Sequence, residues 1–307
     1  MLILGLVLGL PKIPAQEVLS ITWPTKHASP QVVFQKPASD FLPAFRFGLS
    51  ILPESNVVSL AFSQPSFLGL SQQDATNLQS LFEKRYQSIQ NDPVFREVAS
   101  VLPYCYAERT PTQGLALVYR PRKLDTNTPC LVFLHGYGGS FLWSQQLLAE
   151  AFPGCLIICP AYGNSSALMP PAYLSECLDA VEQKLGGKIY RPTLIGLSAG
   201  GFGAARIFTQ SPNRFVRLIV LAAYPPEETL AHFDKNMSVY FLVGARESYV
   251  QSGFFGRSMQ SIRPRVAKLE VHTVPDADHF FLLAQRPETL KILRSWLETP
   301  TSPGAKN

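Results

Sequence analysis

The six residues Gly196-Leu197-Ser198-Ala199-Gly200-Gly201 place a serine between glycines where an apolar run, Thr193-Leu194-Ile195, should turn into a helix. This feature restricts the fold more than any other in the chain. The G-x-S-x-G spacing has a steric cause: a tight, strained strand-to-helix turn leaves no room for side chains two residues before and after the serine. The turn lifts the hydroxyl to the edge of a sheet and points the following N–H, that of Ala199, into the same space from a helix N-terminus. Arg191-Pro192 opens the apolar run, and Phe202 to Phe208 carries helix formers up to Ser211-Pro212-Asn213. A glycine-rich turn whose serine merely caps the helix is the plain alternative, and partner residues elsewhere must decide between the two.

The chain is long enough, at 307 residues with 46% hydrophobic and 16% charged, to bury a large core in one or two domains. Its net charge of +5 is not concentrated in any run of lysine or arginine, so nothing points to nucleic acid as a partner. Met1 to Leu10 is apolar and is followed by Pro11-Lys12-Ile13-Pro14-Ala15, which reads as a signal peptide over residues 1–15 and hence export to a secreted or periplasmic location. It is too short to span a membrane, and a buried first strand or a misassigned start codon is the alternative. Of the five cysteines, Cys155 and Cys159 lie about 13 Å apart by strand rise and cannot bridge. No C-x-x-C pair suggests zinc or redox chemistry, so buried thiols are expected.

From about residue 100, short β-rich runs alternate with helical patterns, as in a mostly parallel sheet flanked by helices. The strands expected are Leu115 to Tyr119, Leu131 to Leu134, Leu156 to Cys159, Thr193 to Leu197, Val216 to Ala222, Val239 to Val243 and Leu269 to Val274. Several are apolar without alternation, the pattern of strands covered on both faces. Leu174, Cys177, Leu178, Val181 and Leu185 fall on one helix face between Pro170-Pro171 and Gly186-Gly187, and a last helix from Pro287 is expected to bury Leu290, Leu293, Trp296 and Leu297. Residues 16–99 read as an N-terminal extension packed on the 100–298 domain. Within it, Ala44 to Leu52 and Val57 to Gln64 suggest a hairpin about Pro53-Glu54-Ser55-Asn56, and Asp74 to Gln90 a helix with a Ser71/Asp74 capping box. Residues 299–307 read as a disordered tail.

A serine nucleophile needs a base and a carboxylate to orient that base. Of the five histidines, His279 alone sits just past a terminal strand, in Val274-Pro275-Asp276-Ala277-Asp278-His279, on a loop free to reach the sheet edge. Glu247 follows the strand Val239 to Val243 at the carboxyl end of the sheet and is the leading candidate for the acid. Asp276 is second, and Asp278 is too close to His279 to face it. The second oxyanion donor is expected in His135-Gly136-Tyr137-Gly138-Gly139-Ser140, at the Tyr137 N–H with Gly138 as runner-up.

Taken in order, HGYGGS, GLSAGG, VGARE and DADHF resemble the α/β-hydrolase family over residues 100–298, and most nearly its compact esterases of the esterase D and polyhydroxybutyrate-depolymerase-like type. The resemblance implies that fold, a Ser198–His279–Glu247 triad, and neither cofactor nor metal. Glu247 stands where the family more usually has aspartate, and the extension has no counterpart. The implied activity is hydrolysis of a small-molecule or polymeric carboxylic ester through an acyl-enzyme on Ser198, with no stable membrane insertion; the oligomeric state is left open. A serine peptidase of prolyl-oligopeptidase-like type and a non-catalytic binding protein on the same scaffold are the alternatives. Only sixteen residues separate Ala222 from Val239, too few for a large cap domain there.

Overall fold

A computed structural model describes residues 16–30, 38–63, 71–106 and 112–298. The signal-peptide reading and the tail after residue 298 lie outside them. All seven expected strands are present, and an eighth precedes them. The strands are β1 (Glu17–Pro24), β2 (Gln113–Arg120), β3 (Cys130–Leu134), β4 (Leu156–Ala161), β5 (Thr193–Leu197), β6 (Arg217–Leu221), β7 (Ser238–Gly244) and β8 (Lys268–Val274). They form one sheet in the order β1-β2-β4-β3-β5-β6-β7-β8. β2 is antiparallel to both β1 and β4, and every other pairing is parallel.

The continuous apolar runs have the cause expected of them. Along β3, Leu131 and Phe133 enter the core on one face of the sheet, while Val132 and Leu134 enter the core on the other. A strand whose two faces are both buried has no polar side to show in its sequence. The first face is covered by α3 (Gln72–Asn91), α5 (Leu142–Ala151) and α11 (Arg286–Glu298), the second by α6 (Pro171–Leu185), α7 (Ala199–Gln210) and α9 (Phe254–Ile262). α6 buries Leu174, Cys177, Leu178 and Val181 and stops at Gly186, whose φ of 69° is a left-handed helix end. At the start of α3, Ser71 Oγ accepts the Asp74 N–H at 3.1 Å and donates to the Asp74 carboxylate at 2.7 Å, a capping interaction.

Two features of residues 16–99 differ from the sequence reading. β1 is part of the main sheet, paired with β2 from Glu17 opposite Arg120 to Pro24 opposite Gln113. The hairpin expected about Pro53 is instead two helices, α1 (Ala38–Ile51) and α2 (Glu54–Phe62). The outward face of α1 is itself apolar, with Phe47 66% and Ile51 61% exposed, so the sequence shows no polar stripe to reveal a helical period. The extension docks on α5 through buried Arg85 of α3, which donates to Glu150 at 2.7 Å, and Arg286 reaches the same carboxylate. A four-residue turn of helix, α4 (Leu102–Cys105), then leads toward β2. Between β6 and β7 stands a single 3-10 turn, Glu227–His232. All five cysteines are free, and no helix among the described residues is long and apolar enough to cross a membrane.

Candidate active site

Ser198 links β5 to α7 with φ 54° and ψ −123°, a backbone conformation costly to any residue with a side chain. Its N–H donates to the Leu221 carbonyl at 2.8 Å, and its own carbonyl accepts the Gly201 N–H at 2.7 Å. Both flanking glycines are required by close approach. A Cβ on Gly196 would run into the Gly200 carbonyl, and one on Gly200 into the carbonyls of Leu134 and His135 at the end of β3. The turn is thereby pressed against the neighbouring strand, and the half-buried serine is left at the carboxyl end of the sheet.

Two loops beyond β7 and β8 converge on this serine. They are joined by their backbones, since Ala245 N–H donates to Val274 at 3.0 Å and Arg246 N–H to Ala277 at 2.8 Å. The chain after β8 turns at Asp276 with φ 53°, which brings His279 over the sheet edge. A carboxylate only accepts, so the 3.0 Å contact between His279 Nδ1 and Glu247 Oε2 puts the proton on Nδ1. Nε2 then accepts the hydroxyl of Ser198 at 2.9 Å. Glu247 is 8% exposed. Asp276 is exposed to solvent, and Asp278 accepts the Phe280 N–H at 2.9 Å instead of facing the imidazole. The remaining histidines lie elsewhere: His27 pairs with Glu176, His272 with Glu288, and His232 is exposed.

Across the serine runs the loop between β3 and α5. Gly136 lies so near that a Cβ there would be 3.2 Å from the Cβ of Ser198. Gly138 is held at both ends of its backbone, donating to Asn164 at 2.7 Å and accepting from the Tyr106 hydroxyl at 3.1 Å. Its N–H is therefore committed. Among the described residues the N–H groups of Tyr137 and Ala199 have no acceptor, while the Tyr137 ring stands 67% exposed. His135 is buried with both nitrogens used, Nδ1–H donating to Gly136 at 2.8 Å and Nε2 accepting the Tyr162 N–H at 3.1 Å. Burial lowers its pKa to about 4, against the opposing pull of the Gly136 carbonyl, so the imidazole is a neutral brace.

A hydroxyl bonded to an oriented imidazole, beside two unused N–H groups, has the parts needed to attack a carbonyl and hold the resulting oxyanion. A family model described as alpha/beta hydrolase fold matches residues 129–283, just over half the chain. The chain belongs to the α/β-hydrolase fold family. The matched span of this α/β hydrolase runs from the residue before β3 into the short helix after His279 and contains Tyr137, Ser198, Ala199, Glu247 and His279.

Among solved structures, an acylaminoacyl peptidase of Pyrococcus horikoshii is similar with a TM-score of 0.51 and 11% identity, over 64% of this chain and 41% of that one. An esterase of Pyrococcus furiosus is similar with a TM-score of 0.49 and 12% identity, over 61% and 87%. The naproxen esterase of Bacillus subtilis has a TM-score of 0.44 and 13% identity, over 60% and 88%. No curated protein matches the sequence.

Sequence reasoning missed one neighbour of the acid. The second Glu247 oxygen, Oε1, and the Tyr249 hydroxyl are both buried, and the two side chains face one another. Burial first, and the Glu247 charge second, hold the phenol well above its ordinary pKa. Tyr249 also packs on Tyr224, with ring centroids 5.0 Å apart. Only the two-residue spacing from Glu247 hinted at it.

Proposed function

We propose that this α/β hydrolase is a serine ester hydrolase. The observation that carries the reading is the unbroken line from Ser198 Oγ through the His279 imidazole to Glu247, at 2.9 and 3.0 Å. In this mechanism Ser198 attacks the acyl carbonyl as His279 takes its proton. Glu247 keeps the imidazole in the required tautomer and stabilises the imidazolium, and the Tyr137 and Ala199 N–H groups receive the oxyanion. His279 returns the proton to the departing alcohol, and water then releases the acid by the same steps. The proposed substrates are short-chain acyl esters, a choice supported by the partial exposure of Ser198 and His279 and by the single short turn between β6 and β7.

The test is a panel of acetyl and butyryl esters beside peptide and acylaminoacyl amides, run on wild type and Ser198→Ala. Ester turnover that depends on Ser198 and exceeds amide turnover supports the reading. Preference for the amides would favour a peptidase, and no Ser198-dependent turnover would remove the enzyme reading altogether.

A further inference from the structure

α5 begins where the loop carrying Tyr137 ends, and its N-terminus has no cap of its own. Its N-cap is Phe141, which makes no side-chain capping bond, and its first turn holds no acidic residue. The missing acceptor comes from 88 positions earlier. Glu54, the first residue of α2, is 5% exposed and accepts the Leu142 N–H at 2.7 Å. The same carboxylate accepts the Tyr86 hydroxyl of α3 at 2.7 Å and the Ser100 hydroxyl at 2.5 Å.

A buried carboxylate is costly unless its acceptor sites are filled, and here every donor belongs to a different segment. A second tie, from the residue that follows α4, is the Tyr106 hydroxyl on the Gly138 carbonyl. Gly139 is pressed on α4 as well, since a Cβ there would be 2.9 Å from Leu102 and 3.3 Å from Cys105. His135 fixes the upstream end of the loop, Tyr106 its middle and Glu54 its downstream end.

We propose that Glu54 is a positioning residue for the oxyanion loop, and that the N-terminal helices hold that loop in place through Glu54 and Tyr106. Glu54 acts through the Leu142 N–H, which sets the start of α5 and so the direction of the Tyr137 N–H five residues before it. This rests on the serine hydrolase reading, and it gives the extension a part in the reaction. Because the loop meets the oxyanion and not the ground-state ester, loosening it should slow turnover more than it weakens binding.

The test compares kcat and KM for a soluble acetyl ester, with melting temperature, in wild type, Glu54→Ala and Glu54→Gln; Glu83→Gln on the exposed face of α3 is the control. Glu54→Ala is expected to lower kcat by about tenfold or more with KM within about threefold. Glu54→Gln, whose amide oxygen can still accept from Leu142, is expected to recover kcat to within about threefold of wild type. If Glu54→Ala does not fold, Glu54→Asp takes its place, because it keeps the charge but draws it back from Leu142. Wild-type kcat in a folded Ala or Asp variant overturns the inference alone, as does a Gln variant no faster than the Ala or Asp variant. A wild type inactive on every ester, or a fully active Ser198→Ala, overturns the hydrolase reading and this inference with it.

Discussion

Glu247 reaches His279 across 32 positions of sequence and accepts its Nδ1–H at 3.0 Å, while Asp276, three residues from the histidine, stays in solvent. Proximity in sequence is therefore a poor guide to which carboxylate meets the imidazole. Glu247→Gln is expected to lower kcat on the order of 10⁴ by analogy with triad aspartates, with KM little changed. Asp276→Asn is expected to stay within about threefold of wild type. Steady-state kinetics of the two variants check this, and the reverse order would move the acid to Asp276.

Backbone contact, not glycine flexibility alone, sets the elbow. Gly200→Ala is expected to abolish soluble folded protein or lower the melting temperature sharply, because its Cβ would meet the Leu134 and His135 carbonyls, which no rotamer change can move. Gly256→Ala, inside α9 with open space around it, is expected to stabilise by up to about 1 kcal/mol through helix propensity. Urea unfolding of both variants gives the comparison, and equal stability would refute the steric account.

Two buried groups titrate in opposite senses. Burial raises the Glu54 pKa from 4.5 to about 7, against the lowering pull of Ser100, Tyr86 and the Leu142 N–H. The folded chain therefore holds this proton more tightly than the unfolded one, so the contribution is full below pH 4.5 and lost as pH rises through about 7. Burial lowers the His135 pKa from 6.5 to about 4, so its contribution is full above pH 6.5 and lost as pH falls through about 4. Between these limits the two slopes oppose. Glu54→Gln removes the first, and its stability relative to wild type is expected to worsen from pH 7 down to pH 5, by on the order of 3 kcal/mol at most. Urea unfolding across that range checks it, and a constant difference would contradict it.

The central strands were legible because their runs are apolar on both faces, and the elbow because its glycines and serine are consecutive in sequence, although the contacts that require Gly200 come from Leu134 and His135 at the end of a distant strand. Residues 38–62 were not. The outward face of α1 carries Phe47 and Ile51, so the period that marks a surface helix is missing, and Pro53 between two apolar runs looked like a turn. The part played by Glu54 was illegible for another reason. Its partners Tyr86, Ser100 and Leu142 lie 32, 46 and 88 positions away, and nothing local distinguishes it from a solvated loop acid. Ser198, Glu247 and His279 could be picked out because each follows a strand end, which sheet topology brings to one edge.

With no domain between β6 and β7, the cleft has no lid there to open at an oil–water interface. Hyperbolic kinetics are expected on acetyl and butyryl esters, with rates falling beyond medium chain length. A sharp rise in rate above the solubility limit of a long-chain ester would overturn this and direct attention to α1 and α2.

The central claim is that Ser198 is the nucleophile, and the most direct measurement is peptide mass spectrometry after reaction with a fluorophosphonate. Wild type should carry one adduct, on the peptide containing Ser198, with loss of esterase activity in step with labelling, and Ser198→Ala should carry none. Full labelling of the Ser198→Ala variant, or an active wild type that stays unlabelled at Ser198, would contradict the account.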